Sequence, residues 1–296
     1  MKKIKRTFNF IFGHPLAGRH PYRSIYRFLY WQLQCVISPD IFKVKTFLGG
    51  TQFYAKKGSY GLTGNIYTGL HEFEDMCFLL HFLRPGDVFF DIGANVGSYT
   101  ILASGVCGAT TTALEPLGLT FGYLTENIAL NTLQNRTRLI NAAAGAETGE
   151  ISFSADEDVT NHVLTAAESG SAQVIVPVVP VDSLLDGGIP SLLKIDVEGF
   201  EMSVLKGMVR TLASPLVKAI IIELNGSGAR YGFDDQAIHD LLLSLDFQAY
   251  QYDPFTRSLK VSLSYGSHNT IYCRDMEFVR ERTASAPHFR IMGERI

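Results

Sequence analysis

Asp87-Val-Phe-Phe-Asp-Ile-Gly-Ala-Asn-Val-Gly-Ser-Tyr-Thr100 is an apolar run closed by an acid and followed by two spaced glycines. Val88, Phe89, Phe90 and Ile92 form the short continuous apolar segment expected of a parallel strand covered on both faces. Gly93 and Gly97, with Asn95 between them, then bring backbone close to a ligand without a Cβ in the way. Strand, tight turn and helix start together make a nucleotide-binding corner of a doubly wound α/β sheet.

The spacing separates this corner from its relatives. A dinucleotide turn needs G-x-G-x-x-G and a phosphate loop ends in G-K-[ST], whereas this turn reads D-x-G-A-N-x-G, without lysine and with Asp91 where a phosphate would be repelled. An acid there suits a cationic ligand without phosphate, and the amino group and sulfonium of S-adenosylmethionine answer that description. Glu115 closes the next apolar strand, Ala109-Thr-Thr-Thr-Ala-Leu-Glu-Pro116. It lies about 20 residues past the turn, where doubly wound folds carry the acid that grips ribose hydroxyls.

Ser191-Leu-Leu-Lys-Ile-Asp-Val-Glu-Gly-Phe-Glu201 repeats the pattern, with Asp196 ending a strand, Gly199 after it, and Val204, Leu205 and Leu212 on the helix beyond. On these three segments, over residues 85 to 225, the chain resembles the FkbM-type family of S-adenosylmethionine-dependent methyltransferases. D-x-G-A-N-x-G spans 91 to 97, E-P 115 to 116, and K-I-D-x-E-G, the most family-specific element, 194 to 199. The resemblance implies a class I methyltransferase fold: a doubly wound, mostly parallel, seven-stranded Rossmann-like sheet. It also implies O-methylation, commonly of sugar hydroxyls in polysaccharides or glycosylated metabolites and occasionally of polyketide-type alcohols.

Alternation of strand and helix continues to the C-terminus. Strands are expected near 87–92, 109–115, 137–143, 191–196 and 218–224, and helices near 97–105, 120–131, 200–212 and 235–244. Residues 150–154 and 173–179 read as extra strands, and 247–252 with 269–273 as a closing antiparallel pair. Residues 1–84 are read as an N-terminal extension and 85–296 as the methyltransferase domain. Within the extension, 42–54 suggests strands turning at Gly49-Gly50, and a helix is expected over 71–83.

Tyr22 to Ile37 has the pattern of an amphipathic helix, with Ile25, Phe28, Leu29, Gln32 and Val36 on one face and Arg23 and Arg27 beside it. Packing against its own domain or a second subunit is the favoured reading of that face, with peripheral contact to an anionic membrane as the alternative. Lys2, Lys3, Lys5 and Arg6 precede a short apolar run, but no signal-peptide core or cleavage site follows, so a cytoplasmic location is expected. No run of eighteen apolar residues is present.

The chain has 296 residues, 46% hydrophobic, with a net charge of −3, which is enough for one full α/β core and gives no broad basic surface for nucleic acid. Four scattered cysteines form no metal or redox pair and read as reduced packing residues. The composition does not fix an oligomeric state.

Candidate cofactor contacts are Asp91, Gly93, Asn95, Gly97 and Glu115, with Tyr67 and Glu72 from the polar, aromatic segment before the first core strand; His71 is a further candidate there. An alcohol acceptor must lose a proton, so a base or a metal is needed near the methyl group. Asp196 at a strand end and His162 in the excursion loop are the catalytic candidates, with Glu223 at the next strand end and Glu198 nearby. No aspartate-rich cluster marks a magnesium site, so a divalent metal has no support in the sequence. The acceptor is expected to be a glycan or another small-molecule hydroxyl. The polar loop of Asp156, Glu157, Asp158, Thr160 and Asn161 leans toward carbohydrate, and Arg230 could meet an acidic sugar. An amine acceptor is disfavoured because Asp196-Val-Glu-Gly stands where an Asn/Asp-Pro-Pro-aromatic tetrapeptide would be. A non-catalytic module would have lost Asp91, Gly93, Gly97, Glu115 or Asp196, and all are present.

Overall fold

The computed structural model describes residues 2–39, 41–57, 60–154, 162–164 and 173–296. The chain enters through α1 (Lys2–Gly13) and α2 (Pro21–Ile37), then a hairpin of β1 (Lys43–Thr46) and β2 (Gln52–Ala55) that turns at Gly49-Gly50 as expected. Two further helices follow, α3 (Tyr60–Thr68) and α4 (Phe73–Phe82). The polar, aromatic segment before the first core strand is thus largely helical.

From there strand and helix alternate: β3 (Val88–Ile92), α5 (Ser98–Thr100) running on into wide π-type turns over Ile101–Val106, β4 (Thr110–Leu114), α6 (Gly118–Leu130) and β5 (Thr137–Ile140). An excursion forms β6 (Ala143–Ala144), β7 (Gly149–Ser154) and β8 (Gln173–Val179), which make a separate small sheet in the order β6-β8-β7. The strand expected over 137–143 is therefore divided. Asn141 marks the break, its Nδ2 donating to the carbonyls of Glu115 and Pro116 instead of extending the ladder.

The chain returns with β9 (Leu192–Ile195), α7 (Glu201–Lys206), α8 (Val209–Ala213), β10 (Ala219–Glu223), α9 (Asp235–Ser244), β11 (Gln248–Asp253), β12 (Ser258–Val261), β13 (Asn269–Cys273) and α10 (Met276–Ala284). The helix expected over 200–212 is broken at Gly207, where a Cβ would lie 1.9 Å from the Gly145 carbonyl oxygen. Helix α9 has the expected bounds, and Asp234 caps it by accepting from the Gln236 amide.

The main sheet has the order β12-β11-β13-β10-β9-β3-β4-β5. The five strands from β10 to β5 are parallel, and at the other edge β13, β11 and β12 pair antiparallel with their neighbours, which leaves β11 in the direction of the five. This is the class I methyltransferase arrangement with one strand more than the seven expected. The eighth, β12, arises because β11 turns back through a hairpin and pairs Tyr250 with Val261 and Asp253 with Ser258.

Both faces of the sheet are buried, as the uninterrupted apolar strands required. Phe89 and Ile221 point into one core with α4 and α10, and Phe90, Ile220 and Ile222 into the other with α7, α8 and α9. A third core joins α1, α2, β2, α3 and α6 through Ile11, Phe28, Trp31, Phe53, Leu62 and Leu124. Helix α2 contributes Ser24, Phe28, Trp31 and Cys35 to the interior, while Leu29, Gln32 and Val36, expected on the buried face, are exposed. The packing stripe is rotated from the expected one because Trp31, the largest side chain on the helix, is turned inward. All four cysteines are buried and unbridged.

Candidate active site

The strand ends of β3, β4, β9 and β10 meet at one edge of the sheet, and the cleft there is lined by Gly93, Asn95, Glu115, Asp196, Glu198 and Phe200 among others. Backbone conformation builds its floor. Gly93 has φ +81°, and a Cβ there would sit 1.8 Å from the Asp196 carbonyl oxygen, so the first turn and the end of β9 touch only because residue 93 is glycine. Asn95 is left-handed at φ +51°, a conformation asparagine accepts better than most residues.

Glu115 links this turn to β4. Its carboxylate accepts from the Asn95 amide at 3.1 Å and from the Leu117 amide at 3.0 Å, and it is only 6% exposed. Burial pushes it up to about 7, against the pull of the two amides. Asp91 is enclosed below the turn, accepts from Thr100 Oγ1 at 2.6 Å, and is pushed up by burial to about 6. It supports the helix start and does not line the cleft. Gly97, at φ +95°, closes the turn as the residue before α5.

At the far side three carboxylates converge. Oxygens of Asp196, Glu198 and Glu223 lie within 4.8 Å of one another. Glu198 is held left-handed at φ +54°, and Gly199 behind it abuts Ser227, where a Cβ would fall 2.7 Å from backbone. Glu201 fixes the same loop, with one oxygen accepting from the amides of Val197 and Gly199. Burial, then the charges of Asp196 and Glu198, push Glu223 up to about 9, so it carries a proton at neutral pH. Burial and the Asp196 charge push Glu198 up to about 7. The oxygen set is also one that a hard divalent cation takes. Each member was a candidate in the sequence, but their convergence was not legible there because they come from two strands and a strained loop.

Lys194 lies beneath the cluster and was not weighed as a site residue in the sequence. It is 2% exposed, its Nζ is 2.8 Å from Asp196 Oδ2 and 3.2 Å from Asn269 Oδ1, and it sits over the Tyr99 ring. Asn269 in turn donates to Asp75, which desolvation pushes up to about 7. The signal was present: a lysine inside the buried run Leu-Leu-Lys-Ile requires a counter-charge within reach.

The remaining expected residues divide. Glu72 accepts from the Tyr99 hydroxyl at 2.5 Å and bears electrostatically on Lys194, so it borders the cluster from α4. Tyr67 packs edge-on against Phe28 and receives a bond from Gln32 in the third core, away from the cleft lining. His71 is exposed and lies tilted against the Phe10 ring, also off the cleft. His162 is buried, its carbonyl accepts from the Ser154 amide while its own amide donates to Ser154 Oγ, and it bears on the charge of Glu198. The polar loop of residues 156 to 161 lies outside the described residues.

A doubly wound sheet with a D-x-G-A-N-x-G turn, an acid closing the next strand and no lysine in the turn defines a class I S-adenosylmethionine-dependent methyltransferase. Residues 91–252 match the model of the methyltransferase FkbM domain, and the chain belongs to that family. Among curated proteins it is 30% identical over 167 residues to the hexuronic acid methyltransferase AglP of Haloferax volcanii, covering 55% of this chain and 64% of that one. It is 28% identical over 187 residues to the 31-O-demethyl-FK506 methyltransferase FkbM of Streptomyces tacrolimicus, covering 52% and 72%. Among solved structures, a precorrin-6y C5,15-methyltransferase of Geobacter metallireducens aligns at 14% identity and a TM-score of 0.40, over 69% of this chain and 87% of that one.

Proposed function

We propose that the chain methylates a sugar hydroxyl, with a hexuronic acid glycan as the first acceptor to test. The observation that carries this reading is the strand-end trio of Asp196, Glu198 and Glu223, of which Asp196 and Glu198 line the same cleft as Glu115 and Gly93. Bound S-adenosylmethionine supplies an electrophilic methyl group. The residues present fit it: Glu115 has lone pairs left for two ribose hydroxyls, Asn95 and the backbone after Gly93 line the same wall, and no lysine stands there for a phosphate.

A neutral alcohol gives up its proton reluctantly, so the chain has to accept it. Glu198, beside Asp196, accepts the one hydrogen bond that the acceptor hydroxyl donates and, at about 7, has the basicity to take its proton near neutrality and release it to solvent. Lys194 balances the accumulated negative charge, and Glu223 holds its own proton against Asp196. Phe200, Tyr231 and Phe233 cluster beside the trio as an apolar face for a sugar ring. Arg230, exposed on the turn after β10 and within reach of Glu198's charge, suits an acidic sugar. The name of the Haloferax relative supports a uronic acid.

The test is turnover to S-adenosylhomocysteine, with mass analysis of product, on a glucuronoside, a neutral glucoside and a macrocyclic alcohol. Preference for the glucuronoside, and a fall in kcat of about 100-fold in Glu198→Gln with S-adenosylhomocysteine affinity kept, are expected. Turnover of the macrocycle alone would defeat the sugar reading. Loss of activity on chelation, restored by magnesium, would reassign the trio from proton acceptor to metal ligand.

A further inference from the structure

Charge is strongly segregated along this chain. Residues 1–71 hold eleven lysines and arginines and a single acid, Asp40, while residues 72–296 hold fifteen basic and twenty-eight acidic side chains. The modest net charge of −3 conceals a cationic N-terminal extension attached to an anionic catalytic body.

The same extension exposes apolar surface in an ordered way. On α2, Tyr22, Tyr26, Leu29, Tyr30, Leu33, Val36 and Ile37 are all exposed, from 49% for Tyr30 to 88% for Tyr22. At 3.6 residues per turn these positions form one stripe roughly 120° wide. It lies opposite the stripe of Ser24, Phe28, Trp31 and Cys35 that packs into the core. Ile41 and Val44 are exposed beyond the C-terminal end of α2, and Phe12 on α1. Scattered exposed apolar residues are ordinary, but a continuous helical stripe on a second face marks an interaction surface. Cations accompany it: Lys5, Arg6 and Arg23 are exposed. A groove lined by Tyr26, Arg27, Tyr30, Trp31 and Lys45 runs alongside.

We propose that this face docks on an anionic lipid bilayer. Tyrosines beside aliphatic side chains, with lysine and arginine next to them and almost no acid, are the composition of a helix lying in the interface plane. A second copy of the chain fits less well, because a twofold contact would set this cationic segment against itself. Nucleic acid would answer the charge but leave the apolar stripe in water. No helix among the described residues is long and apolar enough to cross a membrane, so the contact is peripheral. The helix that carries the docking face is linked to the cofactor turn through its other side: α2 packs on α3, and Asn65 of α3 donates to Ser98, the residue after Gly97.

The test is co-sedimentation of the full chain with vesicles of phosphatidylcholine alone and of phosphatidylcholine with about a quarter phosphatidylglycerol. Binding at least about tenfold tighter to the anionic vesicles, weakened by salt, is expected. The double variant Leu29→Asp/Leu33→Asp should lose it while retaining S-adenosylhomocysteine affinity, and Val36→Asp/Ile37→Asp serves if the first variant misfolds. Equal binding to both vesicles, binding to neither, unchanged binding of the stripe variants, a dimer that those variants dissolve, or tighter binding to tRNA than to the vesicles would each overturn the proposal. None of these results depends on which acceptor is methylated.

Discussion

At the scale of single residues, Lys194 and Glu115 carry the most consequence for their size. Lys194 is a buried cation facing Asp196, Glu72 and Glu223, and removing one partner of such a group leaves uncompensated charge behind. Lys194→Met should cost about 3–5 kcal/mol in denaturant unfolding. It should also move the acidic limb of the kcat profile to higher pH, because Glu198 loses a nearby cation that holds its carboxyl down. Lys194→Arg should fail to restore either property, since a 2% exposed site has no room for a planar guanidinium. A normal pH profile in the methionine variant would reduce Lys194 to a packing residue. Glu115→Gln keeps one acceptor for the turn amides but loses the charge, so S-adenosylhomocysteine affinity by calorimetry should fall about tenfold while the fold persists. Glu115 was legible in the sequence as a site residue, because it ends its strand at a position with a known chemical task, whereas for Lys194 the sequence showed only a buried charge in need of a partner. Lys194 gains its meaning from Asn269 and Asp75, which reach it across 75 and more residues of chain.

At the scale of elements, backbone conformation decides what can be replaced. Gly93→Ala would drive a Cβ into the Asp196 carbonyl, so the variant should lose cofactor binding and part of its thermal stability together. Gly122 is the opposite case. It sits inside α6 with nothing within 4 Å of where its Cβ would be, and its φ is not left-handed. Gly122→Ala should therefore stabilise the protein by about 0.5–1 kcal/mol in denaturant titration, with kinetics unchanged. Strands β3, β4, β9 and β10 were readable from their apolar runs and terminal acids, which are local signals. The breaks at Asn141 and Gly207 and the hairpin to β12 were not, because each is set by a neighbour distant in sequence: the Glu115 loop, the Gly145 carbonyl and the β11 edge. The true inward face of α2 was hidden for a related reason, since both sides of that helix are apolar and only packing chooses between them.

At the scale of the whole molecule, the site leaves a mark on stability. Burial raises Asp91 to about 6 and Asp75, Glu115, Glu198 and Glu201 to about 7. A carboxyl raised on folding holds its proton more tightly in the folded chain than in the unfolded one. Each such group therefore favours the fold at low pH and withdraws that support as pH rises from the ordinary carboxylate range through about 7. Two buried histidines oppose this: desolvation lowers His14 to about 4 and His81 to about 3, so each withdraws support as pH falls below its ordinary value. Six groups, counting Glu223 at about 9, outweigh two between about pH 4.5 and 6.5, and above about 6.5 the acids act alone, Glu223 extending the loss to about 9. The ligand-free protein should accordingly melt at a higher temperature near pH 5.5 than near pH 8. A ligand that brings hydroxyl donors to Glu115 and positive charge to the cleft supports the ionised acids, so the rise in melting temperature on adding S-adenosylmethionine should be larger at pH 8 than at pH 5.5. Melting curves with and without ligand across this range test both statements. A flat ligand-free profile would mean that the acids are better solvated than their burial indicates, and a ligand shift independent of pH would separate them from the cofactor.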